Sequence, residues 1–237
     1  MPGEWRVEER IEDGASLHAS WPAALEEPEQ RAVAVCRVTD TALVLGSTQP
    51  EAVVDRVRAH RAGVAVVRRS SGGGAVLVAP GDPVWVDVWL PAGDPLWNRE
   101  VDRAFDWLGR AWVEALERSG ITGVSAHRGG YVACTRWSSL VCFGGVGTGE
   151  VVTADGRKVV GLAQRRNRHG AWFHGACVLR WDAVPLVGLL ALDPDERTAA
   201  ASGLGAAVAG VADLGDELGV VAPDGPTVAS SVIASLP

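Results

Sequence analysis

Asp155-Gly156-Arg157-Lys158-Val159-Val160-Gly161-Leu162-Ala163-Gln164-Arg165-Arg166 holds the only lysine among the 22 lysine and arginine residues of this 237-residue chain. A composition this poor in lysine has replaced nearly every lysine that served as charge alone. The one that remains points to a need for an ammonium, a compact charge whose pKa is tunable, which guanidinium does not supply. The alternative is chance survival at an exposed hairpin end. Period two puts Val160 and Leu162 on the same strand face as Lys158. A lysine on such an apolar face is costly without a role or a partner. Just upstream, Ala154-Asp155-Gly156 predicts a hairpin turn after a strand over Glu150 to Thr153.

Further upstream lies Ser138-Ser139-Leu140-Val141-Cys142-Phe143-Gly144-Gly145-Val146-Gly147, where a cysteine ends an apolar run and enters a glycine-rich loop. Cys36 and Cys177 read as buried structural cysteines. The loop beside Cys142 is expected to expose its sulfur. A lysine about 4 Å from a thiolate attracts it by roughly 4 kcal/mol at an effective dielectric near 20. Such a pair makes a nucleophile with a proton carrier. Earlier still, Arg68-Arg69-Ser70-Ser71-Gly72-Gly73-Gly74 combines cationic side chains with a backbone free to turn tightly and approach a ligand. Its arginines suit a phosphate or a carboxylate, but no G-x-x-x-x-G-K-[ST] is present. The other reading of the glycines is a flexible loop that needs positive φ.

The rest of the chain supplies a scaffold. Ala32 to Val38 and Ala42 to Leu45 read as strands around a Thr39-Asp40 turn. Pro50 opens a helix expected to reach Ala62, with Val53 and Val57 on one face and Gly63 as its stop. Val64 to Val67 and Ala75 to Val78 are short extended segments. Val84, Val86, Val88 and Leu90 alternate with Trp85, Asp87 and Trp89, which predicts a strand with one apolar and one mixed face. Asn98 is expected to cap a long helix, with Glu100 and Asp102 in its first turn. The apolar stripe of that helix is Val101, Phe105, Leu108, Trp112 and Leu116, ended by Gly120. From Ser125 to Val178 the pattern is strand-rich, and from Asp182 onward it is helical. Strands flanked by a few helices predict an α+β fold.

Composition excludes several classes. Apolar content of 47% with 22% charged residues is that of a globular protein. A net charge of −7 excludes a broadly basic nucleic-acid binder. Cys36, Cys134, Cys142 and Cys177 include no C-x-x-C pair, so no metal site is expected. Met1 to Ser20 has no apolar run and no stretch is long enough to span a membrane, so a cytoplasmic protein with reduced thiols is expected.

Three ordered segments carry a resemblance. Ala42-Leu43-Val44-Leu45-Gly46-Ser47-Thr48-Gln49, Arg68 to Val76, and Gly156 to Arg166 together resemble the lipoate-protein ligase, octanoyltransferase and biotin-protein ligase superfamily in order and separation, over about residues 30 to 180. The resemblance implies a mixed, mostly antiparallel sheet flanked by helices, with an acyl tunnel lined partly by the strand over 84 to 90. It implies a catalytic domain over 1–182, with 183–237 a helical extension packed on it. The family lysine contacts the activated acyl group and its arginine-glycine loop wraps the acyl donor; Lys158, Arg68, Arg69, Ser71, Gly72, Gly73 and Gly74 are the equivalents here. Cys142-Phe143-Gly144, 16 residues before Lys158, is similar to the cysteine-dependent octanoyltransferases. His174, in Trp172-Phe173-His174-Gly175, is similar to them too, and Gln49 and Gln164 are candidate pocket residues. The expected activity is transfer of an octanoyl or lipoyl group to a lysine of a lipoyl carrier domain or a glycine-cleavage H-type protein. Cys142 would be acylated and Lys158 would stabilise the thiolate and handle its proton. The donor would be an acyl carrier thioester or a protein-bound octanoyl amide, with no cofactor. The alternatives are an ATP- and Mg-dependent ligase acting on free lipoate or octanoate, and a non-catalytic carrier- or acyl-binding homologue. Val78-Ala79 stands where many relatives carry His-Asp after the glycine loop, and Trp85, where relatives tend to have a small polar residue, is expected to narrow the pocket.

Overall fold

The computed structural model describes residues 4–19, 29–101 and 103–237. In chain order its elements are β1 (Arg6–Glu12), α1 (Gly14–Ala19), β2 (Ala32–Val38), β3 (Ala42–Leu45), α2 (Arg56–Arg61), β4 (Ala65–Arg68), β5 (Val76–Val78), β6 (Val84–Pro91), α3 (Asp106–Arg118), β7 (Val124–Ala126), β8 (Val132–Ala133), β9 (Gly145–Val146), β10 (Val151–Thr153), β11 (Lys158–Arg166), β12 (Gly170–Cys177), α4 (Ala183–Gly188), α5 (Pro194–Ala207), α6 (Val211–Leu218) and α7 (Gly225–Ala234). Among the described residues, seven strands form one sheet in the order β1-β2-β6-β12-β11-β10-β7, and β4-β3-β5 form a second. The β1–β2 and β3–β4 pairs are parallel and the remaining pairs antiparallel. This is the expected mixed, mostly antiparallel α+β arrangement.

β6 explains the layering. It lies between β2 and β12, and all eight of its residues are buried. Val84, Val86, Val88 and Leu90 pack with Leu108, Trp112 and Leu116 of α3 and with Val228 and Val232 of α7. Trp85 and Trp89 face the other way, against Val44 and Val78 of the small sheet. The face expected to be mixed is therefore a second core, and Asp87 on it is fully buried. Behind the small sheet, Leu43 and Leu45 meet Leu186 of α4 and Ala200 and Leu204 of α5. The segment after Asp182 thus packs on both sides of the sheets. Burying Leu108 and Leu116 contributes roughly 1.5–3 kcal/mol each.

Two helices start later than their sequence pattern implies. Glu51–Val53 form a single tight turn, Val54 bridges to Leu190, and Asp55 caps α2 by accepting from Arg58 N at 3.0 Å. Val57 is consequently exposed. Asn98 accepts from Glu100 N at 2.9 Å instead of capping a helix, a local Asx-type bond that competes with helix initiation. A tight turn over Arg103–Phe105 intervenes and α3 begins at Asp106. Val101 is left exposed, while Leu108, Trp112 and Leu116 form the buried stripe; Asp102 lies outside the described residues. Gly63 (φ +66°) and Gly120 (φ +88°) follow their helices in the left-handed region, as expected.

Candidate active site

A cavity of about 70 Å³ lies between the second face of the large sheet and the small sheet. Trp85, Gly161, Ala163 and His174 line it from the large sheet, and Val44, Val76 and Val78 from the small one. His18 of α1 and the Arg69, Ser71, Cys142 and Phe143 loops close it.

The glycine loop is built by close backbone contact. A Cβ on Gly74 would stand 2.6–2.7 Å from the backbone of Val141 and Cys142, and one on Gly46 would stand 1.9 Å from Gly73 O. Only glycine permits both approaches. Ala75 N donates to Leu140 O (2.7 Å) and Cys142 N to Ala75 O (3.0 Å), which presses the cysteine segment onto the loop. The close approach read in these glycines is thus first an approach to the chain itself. Arg69 is buried and donates to Gly72 O (2.7 Å) and Gly74 O (2.8 Å). Arg68 donates to Gly46 O (2.8 Å) and Gln49 O (2.7 Å). Both guanidiniums, expected to meet a phosphate or carboxylate, are engaged by main-chain carbonyls. Gly73 adopts φ +94°, and a Cβ there would stand 3.0 Å from Arg69 Nη2 and 3.7 Å from Cys142 Sγ. Guanidinium and thiol therefore face the same gap.

Lys158 is fully buried. Its strand bulges where β10 and β11 shift register between Val151 and Val152. Val159 and Val160 consequently both enter the helix-side core. Lys158 lies over Gly161, whose Cβ would be 3.4 Å from the lysine Cε, and not on the face of Val160 and Leu162. Its Nζ donates to Cys142 O (3.1 Å) and Gly145 O (2.9 Å) and pairs with Glu150 Oε2 at 2.7 Å. Burial pulls its pKa down, but the Glu150 carboxylate, the neighbouring Cys142 and the hydrogen bond to Glu150 more than reverse this, and the net shift is upward. The ammonium stays charged, with all three N–H groups in use. It sits behind a wall made by Phe143, 5.2 Å from the ring centre, and Gly161. Lys158 and Cys142 are thus brought together through the cysteine carbonyl. Glu150, buried and also accepting from Gly147 N (2.7 Å) and Leu162 N (2.9 Å), is the partner that sequence reading missed.

A second cluster faces the cavity. His174 Nδ1 lies 2.7 Å from Asp87 Oδ1. The same carboxylate accepts from Trp85 Nε1 (2.5 Å) and Trp172 Nε1 (2.8 Å). Burial raises the Asp87 pKa, but His174 and these hydrogen bonds outweigh it, and the carboxyl is held below its usual range. Among the described residues, His174 Nε2, His18 Nδ1 and Ser71 Oγ are buried with no hydrogen-bond partner. His18 stacks on Trp85 with ring centroids 4.5 Å apart. Burial, then the nearby His174, lower its pKa to about 3, so it is neutral.

The two glutamines stand apart from the cavity lining. Gln49 Oε1 accepts from Gly46 N (3.1 Å) and its Nε2 donates to Leu140 O (3.0 Å), tying two loops together. Gln164 donates to Val101 O (3.0 Å) and accepts from Arg166 Nε (2.7 Å) at the exposed end of β11. Among the described residues, no three His, Cys, Asp or Glu side chains are placed to hold a metal ion, and no helix is long and apolar enough to cross a membrane.

The fold recurs in solved structures. An archaeal bipartite lipoate protein ligase from Thermoplasma acidophilum, described with its E2 lipoyl domain, superposes with a TM-score of 0.73 at 20% identity, covering 98% of this chain and 82% of that one. A lipoate-protein ligase A bound with ATP gives 0.65 at 20% identity, covering 99% and 84%. A biotin protein ligase from Leishmania major gives 0.56 at 10% identity, covering 98% and 72%. The family model for the lipoyl protein ligase A/B catalytic domain matches residues 20–235. The chain belongs to that family.

Proposed function

We propose that this protein is an acyltransferase that moves an octanoyl or lipoyl group from a thioester donor, through an acyl-Cys142 intermediate, to a lysine amine on a lipoyl carrier domain or an H-type protein. The observation that carries this reading is the placement of Cys142: it lines the cavity, and its Sγ faces the gap left at Gly73 beside the Arg69 guanidinium. Arg69 and Ser71 would border the donor carbonyl, and the apolar wall of Val44, Val76 and Val78 would hold the acyl chain. Lys158 would act as a fixed cation that braces the Cys142 loop through its carbonyl.

The second reading is an ATP-dependent lipoate-protein ligase, favoured by the ATP bound to one structural relative. The donors suited to phosphate fit that reading poorly. Arg68 and Arg69 are engaged by main-chain carbonyls, and Lys158 by Glu150. The test is modification of a purified lipoyl domain, followed by mass. Transfer from octanoyl carrier thioester without ATP, lost in Cys142→Ala, is the expected result. Product that requires ATP and free acid, and that survives Cys142→Ala, would establish the ligase instead.

A further inference from the structure

We propose that His174, oriented by Asp87, is the proton acceptor and donor for Cys142. The inference rests on the transferase reading above and assigns the proton that reading leaves unplaced. Four observations lead to it.

Lys158 cannot take the thiol proton. It is already an ammonium, and its three N–H groups are committed to Cys142 O, Gly145 O and Glu150. Arg69 never deprotonates in a protein, and Ser71 is no base.

Asp87 dictates the tautomer of His174. The carboxylate has no proton to give, so the 2.7 Å contact requires that Nδ1 carry the hydrogen. In the neutral ring the free lone pair then belongs to Nε2. Two indole N–H groups hold the carboxylate in place from either side. Third, Nε2 is buried without a partner among the described residues, and His174 shares the cavity with Cys142. An unmatched buried acceptor is a standing cost to the fold, which a proton-accepting role at this cavity accounts for.

The remaining base of the cavity is disqualified by its surroundings. His18 binds a proton far too weakly to carry one near neutrality. It packs edge-on to His174 at 5.7 Å between ring centroids. Among the described residues, the titratable and charged groups around His174 are Asp87 from β6, His18 from α1 and, beyond Asp87, Cys36 from β2; Arg69 and Cys142 line the same cavity from the loops, and Arg10 of β1 acts on His18. β11 contributes Ala163 opposite it.

The steps balance. The Cys142 Sγ–H proton passes to His174 Nε2 as the Sγ–acyl bond forms and the donor C–S bond breaks; the proton then leaves with the donor thiolate. In the second half an N–C bond forms from the acceptor amine and the Sγ–C bond breaks. The amine's surplus proton goes to Nε2 and on to Sγ. The net change is thioester plus amine to amide plus thiol. Asp87, which acts only through His174, is a positioning residue.

The test is alkylation of Cys142 by iodoacetamide in the full chain, followed by peptide mass to separate it from the exposed Cys134, across pH 5 to 10. Wild type should show a step in rate separate from the thiol step. His174→Gln should lose that step and fall roughly 100-fold at neutral pH, the low end of acid–base catalysis. Asp87→Asn should keep the step but shift it, because the carboxylate that stabilises the imidazolium and fixes Nδ1–H is gone. A wild-type profile with a single thiol step overturns the proposal, and that measurement needs no variant to fold. So does a folded His174→Gln protein alkylated within threefold of wild type. The parent reading fails separately: histidine-dependent alkylation with no acyl transfer from any thioester removes the transferase but keeps the pair.

Discussion

Replacing Glu150 by Gln tests whether the buried ammonium needs its carboxylate. Lys158 and Glu150 have side chains only 1% and 7% exposed and lie 2.7 Å apart, so solvent does not screen the pair. Gln preserves the shape and one acceptor, but it leaves a charge with carbonyl partners alone. Breaking one half of a buried ion pair costs about 3–5 kcal/mol. For a chain of this size each kcal/mol is worth about 2–4 °C, so Tm should fall by roughly 6–20 °C. Lys158→Met should cost a similar amount, because it strands the carboxylate. The double variant should cost less than the sum of the two, by about 2 kcal/mol or more, as expected for residues in direct contact. The pH dependence follows from the direction of the lysine shift. The folded pKa lies above the ordinary value of 10.5. The Lys158 contribution is therefore fully present below that value and is lost as pH climbs through the higher folded one. Urea melts from pH 6 to 11 should show a Glu150→Gln penalty that shrinks as pH rises, because burial without the carboxylate pulls the lysine pKa down and lets the folded variant shed the proton that wild type keeps. A Glu150→Gln protein within 1 kcal/mol of wild type, or additive single variants, would refute the reasoning.

Other consequences follow from the same geometry. Gly74→Ala, whose Cβ would meet backbone at 2.6 Å, should destabilise by about 1–3 kcal/mol, whereas Gly72→Ala, with nothing within 4 Å, should be near neutral in chemical denaturation. Trp85→Phe removes one N–H from the buried Asp87 and should cost about 1.5–3 kcal/mol in the same assay. The depressed His18 pKa means stability that is present above the unfolded value of 6.5 and lost as pH falls toward about 3. The slope should be about 1.4 kcal/mol per pH unit across that window. Acid titration of His18→Phe should lack that slope.

Sequence made the frame legible where local pattern and tertiary environment agree. The alternation of Val84 to Leu90 placed a strand, and Leu108, Trp112 and Leu116 placed a helix, because each pattern matches a buried face. Helix starts were misplaced where a side chain found a nearer bond, as Asn98 did with Glu100 N, or where a distant segment intervened, as Leu190 did at Val54. The bulge beside Lys158 defeated the period-two argument, since one register shift moves a side chain to the other face. Glu150 was within reach of sequence reading: it lies just before a strand that the Asp155-Gly156 turn folds back on Lys158. A lone Asp87 inside an apolar alternation was a visible anomaly. Its partner His174, across a long stretch of chain, becomes a neighbour only through the β6–β12 register. Nothing local marks His18 as part of the cavity.

The central claim is an acyl group carried on Cys142, and intact mass reads it directly. The chain is mixed with octanoyl carrier thioester, without ATP and before any lipoyl domain is added. The account predicts a gain of one octanoyl group, mapped to the Cys142 peptide and discharged when lipoyl domain is supplied. An unmodified chain that still octanoylates the lipoyl domain would contradict it.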